Sequence, residues 1–206
     1  GNLSFTSINL PRLAILSDDT AAFFTKLDAL IDLCIEQLLD RFEIQARKKV
    51  KNFNFLMGNG VWLDSDKLSP EDEIHEVIRH GTLSIGFIGL AECLKSLTGF
   101  HHGESEKARA LGLEIVRHMR KRMDDASKEK GLNFSLIATP AEGLSGRFVE
   151  IDRKLFGSIA GITDREYYTN SFHIPVYFGI SAAEKICIEA PYHALTNAGH
   201  ITYVEL

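Results

Sequence analysis

The chain has too few cysteines for a disulfide framework. Cys34, Cys93 and Cys187 are three in 206 residues, odd in number and far apart. That spacing excludes a CxxC metal pair and points to reduced thiols in a cytoplasm. No unbroken apolar run is long enough to cross a bilayer, and no stretch has the pattern of a signal peptide. Positive charge is not in excess: 23 Lys and Arg face 28 Asp and Glu, for a net charge of -5. A general nucleic-acid binder would be basic, so neither nucleic acid nor membrane is an expected partner. Internal repeats and low-complexity linkers are missing too. What is there suits a globular protein: 45% hydrophobic and 25% charged residues, enough to bury a core. Residues 1–206 read as one α/β region. Gly1 stands where Met would start a chain, and both ends run in strand-like alternation, so the expectation is a piece of a longer protein.

Leu132 to Phe148 is the most informative stretch. Leu132, Phe134 and Leu136 alternate with Asn133 and Ser135, the period of a strand. Thr139-Pro140-Ala141-Glu142 then reads as a helix start. Thr139 is the expected N-cap, Pro140 the first helical residue and Glu142 the third. Gly143 and Gly146 follow, interleaved with Ser145. A strand running into such a start leaves backbone N–H groups pointing at one spot, where the helix dipole favours an anion. Thr139 and Ser145 add hydroxyls, and Arg147 adds charge. The same residues also fit a plain capped connection, in which the Glu142 carboxylate fills the free N–H groups itself.

Elsewhere the periods alternate. Leu3 to Leu16 is a strand candidate that Pro11 confines to an edge, an end or a bulge. Ser17 or Asp18 caps a long helix to about Lys49, with Phe23, Leu27, Ile31, Cys34 and Leu38 on its apolar stripe. Phe53 to Leu63 is loop-rich, and Ser69-Pro70-Glu71 opens a short helix to about Arg79. Gly81 to Glu92 leads into a helix ending near Gly99. His101 and His102 read as a polar loop, since adjacent histidines seldom share one ion. Residues 104–130 are helical, and the basic run Arg117 to Arg122 reads mostly as a solvated face. The helix after Thr139 runs to about Phe156 with Gly157 as its stop. Asp164 to Val176 is a polar, aromatic loop able either to line a pocket or to pack on the surface. Ser181 to Thr196 is helical, and His200 to Leu206 is a strand. Strands alternating with helices argue for α/β with a parallel sheet or barrel. The three cysteines fall in helical or apolar surroundings and read as structural.

Five segments carry a resemblance. They are Gly1-Asn2-Leu3 with Ile8-Asn9-Leu10-Pro11-Arg12, His80 to Glu92 (HGTLSIGFIGLAE), Ala138 to Phe148 (ATPAEGLSGRF), Tyr167 to Val176 (YYTNSFHIPV) and Ala190 to Leu206 (APYHALTNAGHITYVEL). In this order they resemble the anaerobic (class III) ribonucleoside-triphosphate reductases, the glycyl-radical members of the ribonucleotide reductase superfamily. The resemblance implies part of a ten-stranded α/β barrel, built from two halves of five parallel strands. It implies reduction of the ribonucleotide 2′-carbon through substrate radicals, with formate as reductant. It places the substrate phosphates at Thr139, Pro140, Ala141, Glu142, Gly143, Leu144 and Ser145, and Asn2 close to the substrate. It also implies a radical-SAM activase and a homodimer.

The chain departs from the family where the radical chemistry sits. The Gly-Cys-Arg stretch that carries the thiyl cysteine is absent. The resemblance puts the glycyl radical and a cysteine-ligated zinc site beyond Leu206, and the effector regions upstream of Gly1. No catalytic residue or metal ligand is therefore expected within 1–206. The alternatives are a phosphate-binding α/β module without chemistry and another glycyl-radical enzyme, such as a pyruvate formate-lyase relative.

Overall fold

The structure, a computed structural model, describes residues 1–204. Three parallel strands lie in the order β1-β2-β3: β1 Asn2–Asn9, β2 Thr82–Ile88 and β3 Asn133–Ala138. Helices α1 (Leu10–Ile15), α2 (Thr20–Ala46) and α3 (His75–Ile78) connect β1 to β2. Helices α4 (Leu90–Thr98) and α5 (Glu106–Lys130) connect β2 to β3, and α6 (Glu142–Phe156) and α7 (Ala182–His193) follow. This is the expected alternation of parallel strands and helices.

Period two sorts the sheet into two unlike faces. Leu83, Ile85 and Phe87 of β2, with Phe134 and Leu136 of β3, join the main core. Across from them lie Phe23, Leu27, Ile31 and Leu38 of α2, and Ile115, Val116, Met119 and Met123 of α5. Each such side chain contributes roughly 1.5–3 kcal/mol when buried, so this face holds the fold. The opposite face carries small polar residues in cross-strand pairs. Ser84 Oγ lies 2.9 Å from Ser135 Oγ, and Ser7 Oγ lies 2.8 Å from Thr139 Oγ1. Gly86 sits between the second pair.

Several expectations need correction. The first strand stops at Asn9, not near Leu16, because Asn9 turns into a cap: its Oδ1 accepts from the Arg12 N–H at 3.1 Å. Pro11 then belongs to the first turn of α1, where its missing N–H costs nothing. Helix α2 is capped by Asp19, not by Ser17 or Asp18 as expected. The helix expected from Ser69 to Arg79 shrinks to α3, because Ser69 to Asp72 closes as a turn on the Asp72 carboxylate at 2.8 Å. His101 and His102 are not a polar surface loop; both are buried. His102 Nε2 sits 2.8 Å from the Phe172 carbonyl, and burial lowers its pKa to about 4, so it is neutral at pH 7. The basic run is partly committed: Arg122 pairs with Asp28 and Asp32, and His118 Nε2 lies 2.7 Å from Asp28, which ties α5 to α2. His200 to Val204 form no ladder; a single parallel bridge joins Gly199 to Ile137 at the free edge of β3. The remaining residues of that expected strand, 205 and 206, lie outside the described residues. No described helix is long and apolar enough to cross a membrane.

Candidate functional site

The site is built where the strands end. Beyond β3 the chain does not cap as expected. Thr139 turns its hydroxyl toward Ser7, across Gly86, and is not an N-cap. Pro140 is not helical, Ala141 occupies the N-cap position, and Glu142 is the first helical residue, not the third. Among the described residues no side chain caps α6. Its first helical bond runs from the Ser145 N–H to the Ala141 carbonyl at 3.1 Å. The N–H groups of Glu142, Gly143 and Leu144 therefore keep no protein partner among the described residues, the situation in which a helix end accepts an anion. Glu142 is exposed, and its carboxylate makes no hydrogen bond to these groups. Gly143 is open as well: a Cβ built there meets nothing within 4 Å.

The expected hydroxyl donors are already engaged. Ser145 Oγ donates to the Glu142 carbonyl at 3.1 Å and is buried. An anion at α6 would thus meet backbone donors first. Leu144 packs into a second, smaller core with Ile88, Ala141, Val149, Ile162 and Tyr168. Asn2 does not join this group. It pairs with Thr82 at the start of the strands, whereas Thr139 lies past their far end. Roughly six strand residues separate the two levels, about 20 Å at the usual rise. Asn2 Oδ1 reaches only as far as Ser84 Oγ, at 3.5 Å.

Behind the first turn of α6 runs the aromatic loop. The Tyr168 N–H donates to the Ser145 carbonyl at 3.4 Å. The other side of this loop lines a cavity of about 640 Å³, with Glu92, Asn170, His173, Tyr177 and Lys185 in its walls. Of the two readings of residues 164–176, the pocket-lining one is the one observed. Glu92 Oε1 accepts from the Thr169 N–H at 3.0 Å and from Thr169 Oγ1 at 2.7 Å, while Oε2 is buried without a partner among the described residues. Burial raises the Glu92 pKa against the pull of those two bonds.

Sequence reasoning missed a second buried acid. Asp152 of α6 is fully buried and gathers three donors. Asn9 Nδ2 donates to it at 2.8 Å, Arg12 Nε at 2.6 Å and Tyr168 OH at 2.8 Å. The signal was available: Ser145, Val149 and Asp152 are the buried residues of α6, spaced four and three apart on one helical face. Of the cysteines, Cys34 and Cys93 are buried and burial raises both thiols, whereas Cys187 is exposed.

Comparison with known proteins agrees with this architecture. The family described as anaerobic ribonucleoside-triphosphate reductase matches residues 1–206. The reductase of Salmonella typhimurium is 37% identical over 208 residues, covering 99% of this chain and 29% of that protein. The reductase of Enterobacteria phage T4 is 37% identical over 212 residues, covering 100% of this chain and 33% of its own length. Among solved structures, the anaerobic ribonucleotide reductase of Thermotoga maritima with dATP bound in the specificity site superposes with a TM-score of 0.74. It is 18% identical, over 98% of this chain and 32% of that one, and so speaks for the fold. The family match over the whole chain and the identity to these relatives place it among the ribonucleotide reductases. The chain belongs to the anaerobic ribonucleoside-triphosphate reductase family, and it spans about a third or less of the length of these relatives.

Proposed function

We propose that this chain is a catalytic-barrel segment of an enzyme that converts ribonucleoside triphosphates to deoxyribonucleoside triphosphates for DNA synthesis. The reaction is radical reduction at the 2′-carbon with formate as reductant, in a cytoplasmic homodimer loaded by a radical-SAM activase. Residues 1–206 serve as substrate bed and scaffold within a ten-stranded barrel. The substrate-binding set is Asn2, Thr139, Pro140, Ala141, Glu142, Gly143, Leu144 and Ser145. The phosphates sit on the free N–H groups of Glu142, Gly143 and Leu144, and the nucleoside lies along the polar sheet face toward Asn2. Family membership supports the reaction class. The observation that carries the site is the uncapped start of α6.

The glycyl radical, the thiyl cysteine and the zinc belong to other parts of the full-length protein. No three His, Cys, Asp or Glu side chains converge on a metal position among the described residues. The chain's own contribution is to bind and orient. Backbone donors hold phosphate charge without a conformational change, and a substrate fixed at one end presents its ribose in one place.

The test is Gly143→Glu in the full-length enzyme, measured as affinity for the triphosphate and for the bare nucleoside. Because nothing crowds position 143, a loss there reads as charge against charge. Triphosphate affinity should fall at least tenfold, about 1.4 kcal/mol or more, with nucleoside affinity little changed. Equal weakening of both ligands in a folded variant would defeat the phosphate reading.

A further inference from the structure

We infer that Asp152 is a positioning residue for substrate binding, holding the start of α6 in register with β1 and with the aromatic loop. The inference rests on the phosphate reading of α6. Three segments meet at this one carboxylate. Asn9 closes β1 and caps α1. Arg12 belongs to α1. Tyr168 belongs to the loop whose neighbours Tyr167 and Thr169 line the cavity beside Glu92. Asp152 itself lies on α6, ten residues after Glu142.

The chemistry of the junction requires an acceptor alone. Asn9 Nδ2 and Tyr168 OH both donate to Oδ2, and Arg12 Nε donates to Oδ1. An ionised carboxylate accepts all three, and its charge is met by the Arg12 guanidinium. An amide of the same shape cannot do this. Whichever way the side chain turned in an Asp152→Asn variant, its NH2 would face either Arg12 or the Asn9 and Tyr168 donors. Asp152 is fully buried, so no water stands by to relieve the mismatch. The apolar contacts of α6 lie in the small second core, which packs it against the loop but fixes no direction, because apolar packing is non-directional. The directional bonds that Asp152 accepts, together with those from the Tyr168 N–H to the Ser145 carbonyl and from Arg153 Nε to the Thr163 carbonyl, fix the helix axis, and that axis aims the three free N–H groups.

The experiment uses Asp152→Asn and Tyr168→Phe in the full-length enzyme, with Gly143→Glu alongside. Measured are kcat and KM for the triphosphate, affinity for the bare nucleoside, and the melting temperature. For Asp152→Asn the expected result is a tenfold or larger rise in triphosphate KM, with kcat within threefold and nucleoside affinity unchanged. Tyr168→Phe, which deletes one donor and leaves the carboxylate in place, should raise the same KM two- to threefold. If Asp152→Asn does not fold, the Tyr168→Phe result decides. Normal triphosphate KM in the folded variants, or a fall in kcat without a change in KM, overturns the positioning role. If Gly143→Glu weakens the triphosphate while the Asp152 and Tyr168 variants do not, the phosphate site stands and this inference falls. If Gly143→Glu leaves the triphosphate untouched, the phosphate reading itself has failed.

Discussion

Helices α6 and α7 begin in opposite ways. At α7 the Ser181 Oγ accepts from the Glu184 N–H at 3.3 Å, and Glu184 Oε2 accepts from the Ser181 N–H at 3.2 Å. That is a complete capping box, closed by its own side chains. At α6 the sequence Thr-Pro-Ala-Glu promises the same device and the structure withholds it. Thr139 commits its hydroxyl to β1, and the helix starts too late for Glu142 to reach back. A closed start is finished; an open one keeps donors in hand. The two helices show that an unsatisfied terminus here is a property of position, because good capping residues are present in both sequences.

Three changes sharpen that contrast, in descending order of effect. Gly143→Glu, the charge test above, should act on triphosphate binding at α6 by tenfold or more, adding a second carboxylate to a first turn that already carries the exposed Glu142. Ser181→Ala should cost stability by about 1 kcal/mol, the usual worth of an N-cap, and leave triphosphate KM unchanged; thermal unfolding and steady-state kinetics read the two quantities. A shift in KM with Ser181→Ala would mean that α7, too, touches the substrate. Ala141→Ser installs at α6 the cap it lacks. It should change stability by no more than about 0.5 kcal/mol, since the gain of a cap is offset by placing a hydroxyl in the second core where Ala141 packs, and raise triphosphate KM a few-fold, since the new hydroxyl competes for the same N–H groups. Unchanged KM with a measurable gain in stability would show that those donors do not hold the ligand.

Much of the fold was legible because its cause is local. The stripe Phe23, Leu27, Ile31, Cys34 and Leu38 is buried as its spacing implies, and Gly157 stops α6 where expected. The alternation of Phe134 and Leu136 with Ser135 marks β3 correctly. The failures have distant causes. Whether Thr139 caps its own helix depends on Ser7, 132 positions away. Whether His101 and His102 see water depends on the segment from Phe172 to Phe178 folding over them. Asn9 ends β1 because its side chain finds both Arg12 and Asp152. At the site, the sequence marked the Thr139–Ser145 stretch. It did not reveal that Thr139 and Ser145 would commit their hydroxyls to Ser7 and to the Glu142 carbonyl, nor that Asp152 would stand behind them.

Gly86 carries a further consequence. A Cβ built on it would lie 1.8 Å from Thr139 Oγ1 and 2.9 Å from Ile137 Cγ2. The hydroxyl bridge from β1 to Thr139, just past β3, therefore passes through the volume that any other residue's side chain would fill. β2 is crossed there like a threshold with no step. For protein engineering this makes residue 86 a poor place to diversify: a saturation library should return glycine nearly alone. Even alanine would have to turn Thr139 away from Ser7 and release the segment that leads into α6. The smallest side chain in the sheet thus sets how closely the outer two strands can speak to each other.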